Sequence, residues 1–265
     1  MQTVTSNDGT KITFEKTGSG PAVILIDGAT GTLASGYSAA LAKLLAVNFT
    51  VYYYDRRGRG ESGDTQPFAV DREIEDIEAL IDEPGGTAYL YGISSGASLA
   101  LEAAIKLGDK VKKLALYEAP YDDDPAAAQG WREYRTRLAE LLADGKRGDA
   151  VVLFMKLVGV PDEMIGGMRQ SPMWPGLEAV APTLAYDAAA MGEDRSVPVK
   201  RATAVTAQTL VMDGGANLQI MPFMHPTAGA LAKAIPGAQQ QTLEGQGHDV
   251  DSTVLAPVLA EFFAN

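Results

Sequence analysis

The feature that most restricts the fold is a serine between two glycines, Gly92-Ile-Ser-Ser-Gly96, at the junction of two different segments. Residues 87–91 are apolar and favour a strand, whereas residues 97–104 are small and favour a helix. Ser94 therefore falls where a strand is expected to turn sharply into a helix. Because the glycines leave room that a Cβ would fill, we expect the Ser94 hydroxyl to point away from the sheet.

The chain before and after this turn continues to alternate between strands and helices. Continuous apolar runs at residues 22–26 and 49–54 predict buried strands, and apolar residues at helical spacing over 68–81 predict a helix. Alternating segments on both sides of Asn7-Asp8-Gly9 predict a hairpin. Since strands that alternate with helices form parallel sheets, we predict an α/β fold with a mostly parallel, twisted sheet and helices on both faces.

Residues 121–204 have a different pattern, with helical segments broken by Gly and Pro and no strong strand. We predict helices over 126–143, 146–159, 161–168 and 177–191. These helices form a cap inserted into a core of residues 1–120 and 205–265, where strands at 208–212 and 239–243 and helices at 221–235 and 253–263 resume. Some apolar side chains of the cap are expected to line a pocket, and the candidates are Trp131, Phe154, Met155, Met164, Met168, Met173 and Trp174.

Composition excludes several classes of partner. The chain has 265 residues and a net charge of −12, which would repel nucleic acids and anionic membranes and leaves small neutral or apolar molecules as ligands. It contains no cysteine, so disulfides, thiolate metal sites and cysteine nucleophiles are excluded. The first residues do not have the pattern of a signal peptide, and no apolar run is long enough for a membrane span. We therefore expect a cytoplasmic protein, and a homodimer remains open.

A serine hydroxyl becomes nucleophilic when a base takes its proton, and histidine suits that task near neutral pH. His248 follows the last predicted strand, at the same carboxyl edge of the sheet as Ser94, so we predict that it is the base. His225 is expected to have a surface or capping role at a helix start. Two backbone N–H groups are predicted to bind an oxyanion: that of Ser95 and that of Ala29, which follows the first buried strand.

The order of these motifs resembles the α/β-hydrolase superfamily across nearly the whole chain. The motifs are Asp27-Gly28-Ala29, Asp55-Arg-Arg-Gly-Arg-Gly-Glu-Ser62, Gly92-Ile-Ser-Ser-Gly96, a helical cap and Gly247-His248. Members with Ser at this turn include esterases, lactonases and carbon–carbon bond hydrolases, whereas dehalogenases and epoxide hydrolases have Asp. The resemblance implies the α/β-hydrolase fold and a serine hydrolase without cofactor or metal. Many members carry His-Gly in the first loop, and Asp27 replaces that His here.

The superfamily offers two places for the acid that orients the histidine. Most members have an Asp in a Gly-x-x-Asp pattern after the strand that follows the cap, and this chain has Asn217 at that position. Other members place a carboxylate just before the cap, and Glu118 resembles that arrangement. We predict Glu118 as the acid, with Asn217, Asp122 and Asp213 as alternatives.

Together these residues predict the hydrolysis of a carboxylic ester or lactone of a small, largely apolar molecule through an acyl-enzyme on Ser94. One alternative is a cofactor-free lyase, cyclase or oxygenase that uses the same pocket and His248. Another is a small-molecule binding protein without turnover. The presence of Ser94 and His248 argues against it, whereas Asn217, at the position where most members have Asp, leaves it as an alternative. The substrate is not named by the sequence, because the cap that selects it is the least diagnostic region.

Overall fold

The centre of the protein is an eight-stranded sheet, seen in a computed structural model that describes residues 1–216 and 221–265. The strands are β1 (Gln2–Thr5), β2 (Lys11–Gly18), β3 (Ala22–Ile26), β4 (Thr50–Tyr54), β5 (Ala88–Ile93), β6 (Val111–Tyr117), β7 (Gln208–Gly214) and β8 (Gln239–Leu243). Their order across the sheet is β1-β2-β4-β3-β5-β6-β7-β8. β1 and β2 form the predicted antiparallel hairpin, and β3 to β8 are parallel to one another, which confirms the mostly parallel sheet.

Helices cover both faces of this sheet, as the alternation predicts. They are α1 (Tyr37–Leu45), α2 (Val70–Asp82), α3 (Ser95–Leu107), α4 (Pro125–Ala143), α5 (Arg147–Leu157), α6 (Asp162–Arg169), α7 (Trp174–Val180), α8 (Leu184–Ala190), α9 (Val199–Ala202), α10 (Met224–Ala234) and α11 (Ser252–Ala264). One apolar core joins α1 and α11 to the sheet, for example through Leu41 and Leu259. The second core joins α2, α3 and α10 to the other face, for example through Ile77, Leu99 and Leu231.

The helix α2 shows why such segments fold as the periodicity predicts. Its residues Ile74, Ile77, Leu80 and Ile81 recur at three- and four-residue intervals and are all buried, so one face of the helix is apolar. Asp71 lies in the first turn, where a negative charge stabilises the positive end of the helix dipole. The sequence therefore encodes both the start of this helix and the face that it buries.

Six helices, α4 to α9, lie in the chain between β6 and β7, and we call them the inserted helices. The prediction of one helix over 177–191 is wrong, because α7 and α8 are separated by a 3-10 turn at Ala181–Thr183. Pro182 in this turn has no N–H to donate, so a continuous helical hydrogen-bond ladder is interrupted there. The short helix α9 was not predicted. The division into a core and a cap stays a prediction.

The inserted helices bury only part of the predicted apolar set. Trp131, Met155 and Trp174 are buried, whereas Met164 and Met173 are exposed at their surface. Trp131 stacks on Tyr134 and belongs to the packing between helices. The remaining two candidates, Phe154 and Met168, are partly buried. Within the two described ranges, none of the helices has both the length and the apolar character needed to cross a membrane.

Candidate active site

The turn between β5 and α3 places Ser94 in a strained conformation, with φ 57° and ψ −131°. A Cβ on Gly92 would lie 2.4 Å from the Gly96 carbonyl oxygen, and one on Gly96 would lie 2.3 Å from the Ile26 carbonyl oxygen. Both distances are too short for any other residue, so the two glycines permit the turn. Within residues 90–101 Ser94 is the residue that is not buried. Ser94 is therefore partly accessible, whereas the residues around it in the chain are buried.

Glu118 and His248 form a hydrogen-bonded pair at the same edge of the sheet. Glu118 Oε2 lies 2.6 Å from His248 Nδ1, and the Glu118 side chain is fully buried whereas that of His248 is 32% exposed. In the register of β5 and β6, Ile93 is opposite Tyr117, so the next residues, Ser94 and Glu118, end neighbouring strands. Paired strands lie about 4.8 Å apart, which brings Ser94 and the Glu118–His248 pair into one small region.

Backbone contacts fix Glu118 in this position. Its φ is 47°, a backbone conformation that is uncommon for a residue with a side chain. Residues in such conformations are concentrated at functional sites. Its own N–H donates to the Met212 carbonyl (2.9 Å), and its Oε1 accepts the Gly214 N–H (2.9 Å). Both partners belong to β7, so the carboxylate is anchored to the neighbouring strand while Oε2 faces the histidine.

The loop that carries His248 is held by the two strands beneath it. The Tyr117 hydroxyl at the end of β6 donates to the Gly247 carbonyl (2.6 Å). The Ala216 N–H donates to the Gln246 carbonyl (2.9 Å). Gly214 lies so near this loop that its Cβ would be 2.5 Å from the Gln246 carbonyl oxygen. These contacts hold the two residues that precede His248 and thus position the backbone that carries its imidazole.

The alternative acids have other partners. Asp213 is fully buried, and its Oδ2 lies 2.9 Å from Nδ1 of His225, the second histidine, while its Oδ1 accepts the Thr242 hydroxyl (3.1 Å). Asp122 forms an ion pair with Arg195 at 3.1 Å. Asn217 lies outside the described residues. Among the candidates that the structure describes, Glu118 is the one that contacts His248, and its catalytic role stays a prediction.

The loop after β3 passes close to Ser94. A Cβ on Gly28 would be 2.9 Å from the Ser94 Cβ and 3.5 Å from its Oγ, so the backbone at Gly28 borders the serine, and Ala29 is the next residue of the loop. Ser95 begins α3, and the N–H groups of a first helical turn have no partner within the helix. The Asp27 side chain points into the protein, where it accepts the Ser38 hydroxyl (2.6 Å) and where burial raises the pKa of its carboxyl.

Sequence reasoning did not single out Arg59 and Asp187, which lie beneath this loop. Arg59 Nη1 donates to the Gly28 carbonyl (2.6 Å) and its Nη2 contacts Asp187 of α8. These two residues are 128 positions apart, so no local motif connects them. In the described part of the chain, no group of three or more His, Asp or Glu side chains is arranged to hold a metal ion.

Comparison of the sequence with known proteins finds a family model and a curated relative that match this chain. A model of the alpha/beta hydrolase family matches residues 23–259. The protein described as uncharacterized hydrolase YraK, from Bacillus subtilis (strain 168), is 30% identical over 114 residues. That match covers 42% of this chain and 41% of YraK, so this chain spans less than half of the length of that curated relative.

Several solved structures are similar over the whole chain. An alpha/beta hydrolase from Sphaerobacter thermophilus is 51% identical, with a TM-score of 0.86 and coverage of 99% of this chain and 100% of that one. A thermophilic esterase from Thermogutta terrifontis is 24% identical, with a TM-score of 0.70 and coverage of 99% and 97%. The enol-lactonase from Burkholderia xenovorans LB400 is 20% identical, with a TM-score of 0.71 and full coverage of both chains. The last two show similarity of fold alone.

Proposed function

Because this chain belongs to the alpha/beta hydrolase family, we propose that it is a serine hydrolase that cleaves a carboxylic ester or lactone through an acyl-enzyme on Ser94. One observation carries the proposal: His248 is bound by the buried Glu118 at the sheet edge where Ser94 emerges from a strained turn. A base, an acid that orients it and an accessible serine are the three groups that acyl transfer needs. The substrate is a small, largely apolar molecule.

His248 moves the proton in each step. With Nδ1 bound to Glu118, Nε2 is the ring nitrogen left to take the proton of the Ser94 hydroxyl. The Ser94 oxygen bonds to the substrate carbonyl carbon, the C–O bond to the alcohol breaks, and His248 gives its proton to the leaving oxygen. Water then attacks the acyl-enzyme while His248 again acts as the base, which releases the acid and restores Ser94.

Negative charge that develops on the carbonyl oxygen is bound by the N–H groups of Ser95 and Ala29. Ser95 begins α3, so its N–H has no partner within the helix and lies at the positive end of the helix dipole, directly beside Ser94. Ala29 follows Gly28, whose close approach to Ser94 requires the absence of a side chain. Such donors are effective because they are in place before the charge forms.

A serine-directed fluorophosphonate probe tests the acyl-enzyme mechanism directly. We expect the probe to label the native protein on Ser94, and the Ser94→Ala variant to lose both labelling and the hydrolysis of chromogenic esters by several orders of magnitude. Ser98→Ala is the matched control, because Ser98 is buried in the same helix. It should keep both properties.

The same experiment separates the competing functions. An active protein that is never labelled, or labelling that persists in Ser94→Ala, contradicts the acyl-enzyme and favours a lyase, cyclase or oxygenase at this pocket. Tight binding of esters and lactones of graded chain length without turnover or labelling favours a binding protein. The graded series also measures the size of the pocket, since kcat/KM falls once the acyl chain exceeds it.

A further inference from the structure

Two arginines that follow β4 are enclosed together with two carboxylates. Arg56 and Arg59 are each 1% exposed. Arg56 contacts Glu73 of α2 through Nε (2.8 Å) and Nη2 (2.9 Å), and Asp187 of α8 through Nη1 (2.7 Å). Arg59 Nη2 lies 2.8 Å from both oxygens of Asp187. Burying four charges is strongly unfavourable unless each is paired, and here both arginines and both carboxylates are paired within the cluster.

The two guanidinium groups also bind the loop beside Ser94. Arg59 Nη1 donates to the Gly28 carbonyl (2.6 Å), and Arg56 Nη1 donates to the Asp27 carbonyl (3.2 Å). The carbonyl and the N–H of a trans peptide point in opposite directions within one plane. The contact with Arg59 therefore fixes the plane of the Gly28–Ala29 peptide and turns the Ala29 N–H away from the arginine. The positive charge also polarises this peptide and strengthens its N–H as a donor.

Asp187, which binds both arginines, also contacts the residue that follows Ser94. Asp187 Oδ1 accepts the Ser95 hydroxyl at 2.7 Å, and Ser95 is the residue that begins α3 directly after Ser94. Burial raises the pKa of Asp187, but Arg59 and Arg56 outweigh it and hold the pKa below its usual value. Asp187 thus remains a charged acceptor that both Arg59 and Ser95 share.

From these contacts we infer that Arg59 and Asp187 are positioning residues, which hold the Ala29 and Ser95 N–H groups at the separation that an oxyanion requires. The inference rests on the proposed serine hydrolase function and adds the residues that fix the positions of its two N–H donors. It also assigns a role to α8. This inserted helix supplies Asp187, which connects the start of α3 with the arginine that binds the loop after β3. In this proposal both residues act through the backbone groups that they hold.

Arg57 offers a matched control within the same loop. It is as fully buried as Arg59 and is bound by Asp76 through Nε (2.8 Å) and Nη2 (2.7 Å) and by Asp8 through Nη1 (2.8 Å). Its described contacts do not include the loop beside Ser94. Lysine keeps the charge but lacks the planar fork of arginine, so Arg59→Lys and Arg57→Lys remove comparable buried contacts at two different places.

The experiment compares the two variants on one chromogenic ester. We expect Arg59→Lys to lower kcat by about tenfold to a hundredfold with KM little changed, because misplaced donors weaken transition-state binding. Its affinity for a trifluoromethyl ketone, whose adduct with Ser94 carries an oxyanion, should fall in proportion. Arg57→Lys should keep kcat and ketone affinity within about twofold, although both variants unfold at a lower temperature.

Ser95→Ala provides a second variant that removes no charge. It deletes the hydroxyl bonded to Asp187 and keeps the Ser95 backbone N–H, so we expect a smaller fall in kcat and in ketone affinity than for Arg59→Lys. If Arg59→Lys does not fold, Ser95→Ala decides alone, and unchanged ketone affinity overturns the inference. Equal losses in Arg59→Lys and Arg57→Lys overturn it too. A native protein that neither hydrolyses esters nor reacts with the fluorophosphonate instead overturns the proposed function.

Discussion

The two carboxylate oxygens of Glu118 have different partners, and the difference has a consequence for catalysis. Oε1 accepts the Gly214 backbone N–H, and Oε2 lies against His248 Nδ1. A carboxylate can accept from both groups, whereas an amide has one oxygen and one NH₂ group. A glutamine at this position would satisfy Gly214 with its oxygen and turn its NH₂ group towards the imidazole.

We therefore expect Glu118→Gln to lower kcat by up to about 10⁴-fold while the fold is kept. The amide would donate to Nδ1 and force the ring proton onto Nε2, which then cannot take the proton of Ser94. The measurements are kcat on the ester used for Ser94 and the circular dichroism spectrum of the variant. An activity within about threefold of the native protein would show that another group orients the imidazole.

Asp213→Asn is the control for this prediction. Asp213 is as buried as Glu118 and also faces a histidine Nδ1, that of His225, so the substitution removes a carboxylate from a similar pair. Because His225 is not the predicted base, we expect kcat to change by less than about threefold. A loss as large as that of Glu118→Gln would mean that the second pair takes part in catalysis.

How much of the site the sequence could predict depends on the kind of signal each residue has. Ser94 and His248 follow from a motif with a defined structural context and from chain order. Glu118 follows from its place after a strand and from the family resemblance. Arg59 and Asp187 meet only through tertiary packing between a loop and a distant helix, which leaves no periodicity or spacing to detect.

At the scale of the elements, buried strands and long helices were predictable because each has a recognisable pattern of apolar residues. β3 and β4 are continuous apolar runs, and α2 has its apolar residues at helical spacing. The break between α7 and α8 was missed because residues 177–191 have helical composition and Pro182 is an ambiguous signal, since Pro257 lies inside the continuous helix α11. Composition predicts that a segment is helical, but it does not predict where the helix is interrupted.

Two glycines in helices lead to opposite predictions for the same substitution. Gly96→Ala in α3 would put a Cβ 2.3 Å from the Ile26 carbonyl oxygen, so we expect a loss of about 1–3 kcal/mol or more in the free energy of unfolding. Gly130→Ala in α4 meets nothing within 4 Å and improves helix propensity, so we expect a gain of about 1 kcal/mol. Urea unfolding of both variants is the measurement, and two changes of the same sign would contradict the packing argument.

At the scale of the whole molecule, acidic residues outnumber basic ones, and in the described part of the chain the three arginines of the loop after β4 are paired with carboxylates. The chain carries 34 acidic and 22 Lys or Arg residues. Arg56, Arg57 and Arg59 lie in the loop after β4, and all three are buried and bound by carboxylates. A substrate that approaches this part of the protein therefore experiences mainly the negative field of the surface.

We accordingly expect a neutral ester to be hydrolysed with a higher kcat/KM than an anionic analogue of the same size, by about tenfold at low ionic strength. Salt should reduce the difference, because at 1 M the field is screened beyond about 3 Å, whereas at 0.01 M it extends to about 30 Å. The measurement is kcat/KM for both esters across this range of salt. A difference that does not depend on salt would mean that direct contacts in the pocket, rather than net charge, reject the anion. If kcat/KM for the anionic ester at low salt equals or exceeds that for the neutral ester, a positively charged group outside the described ion pairs must lie close to Ser94.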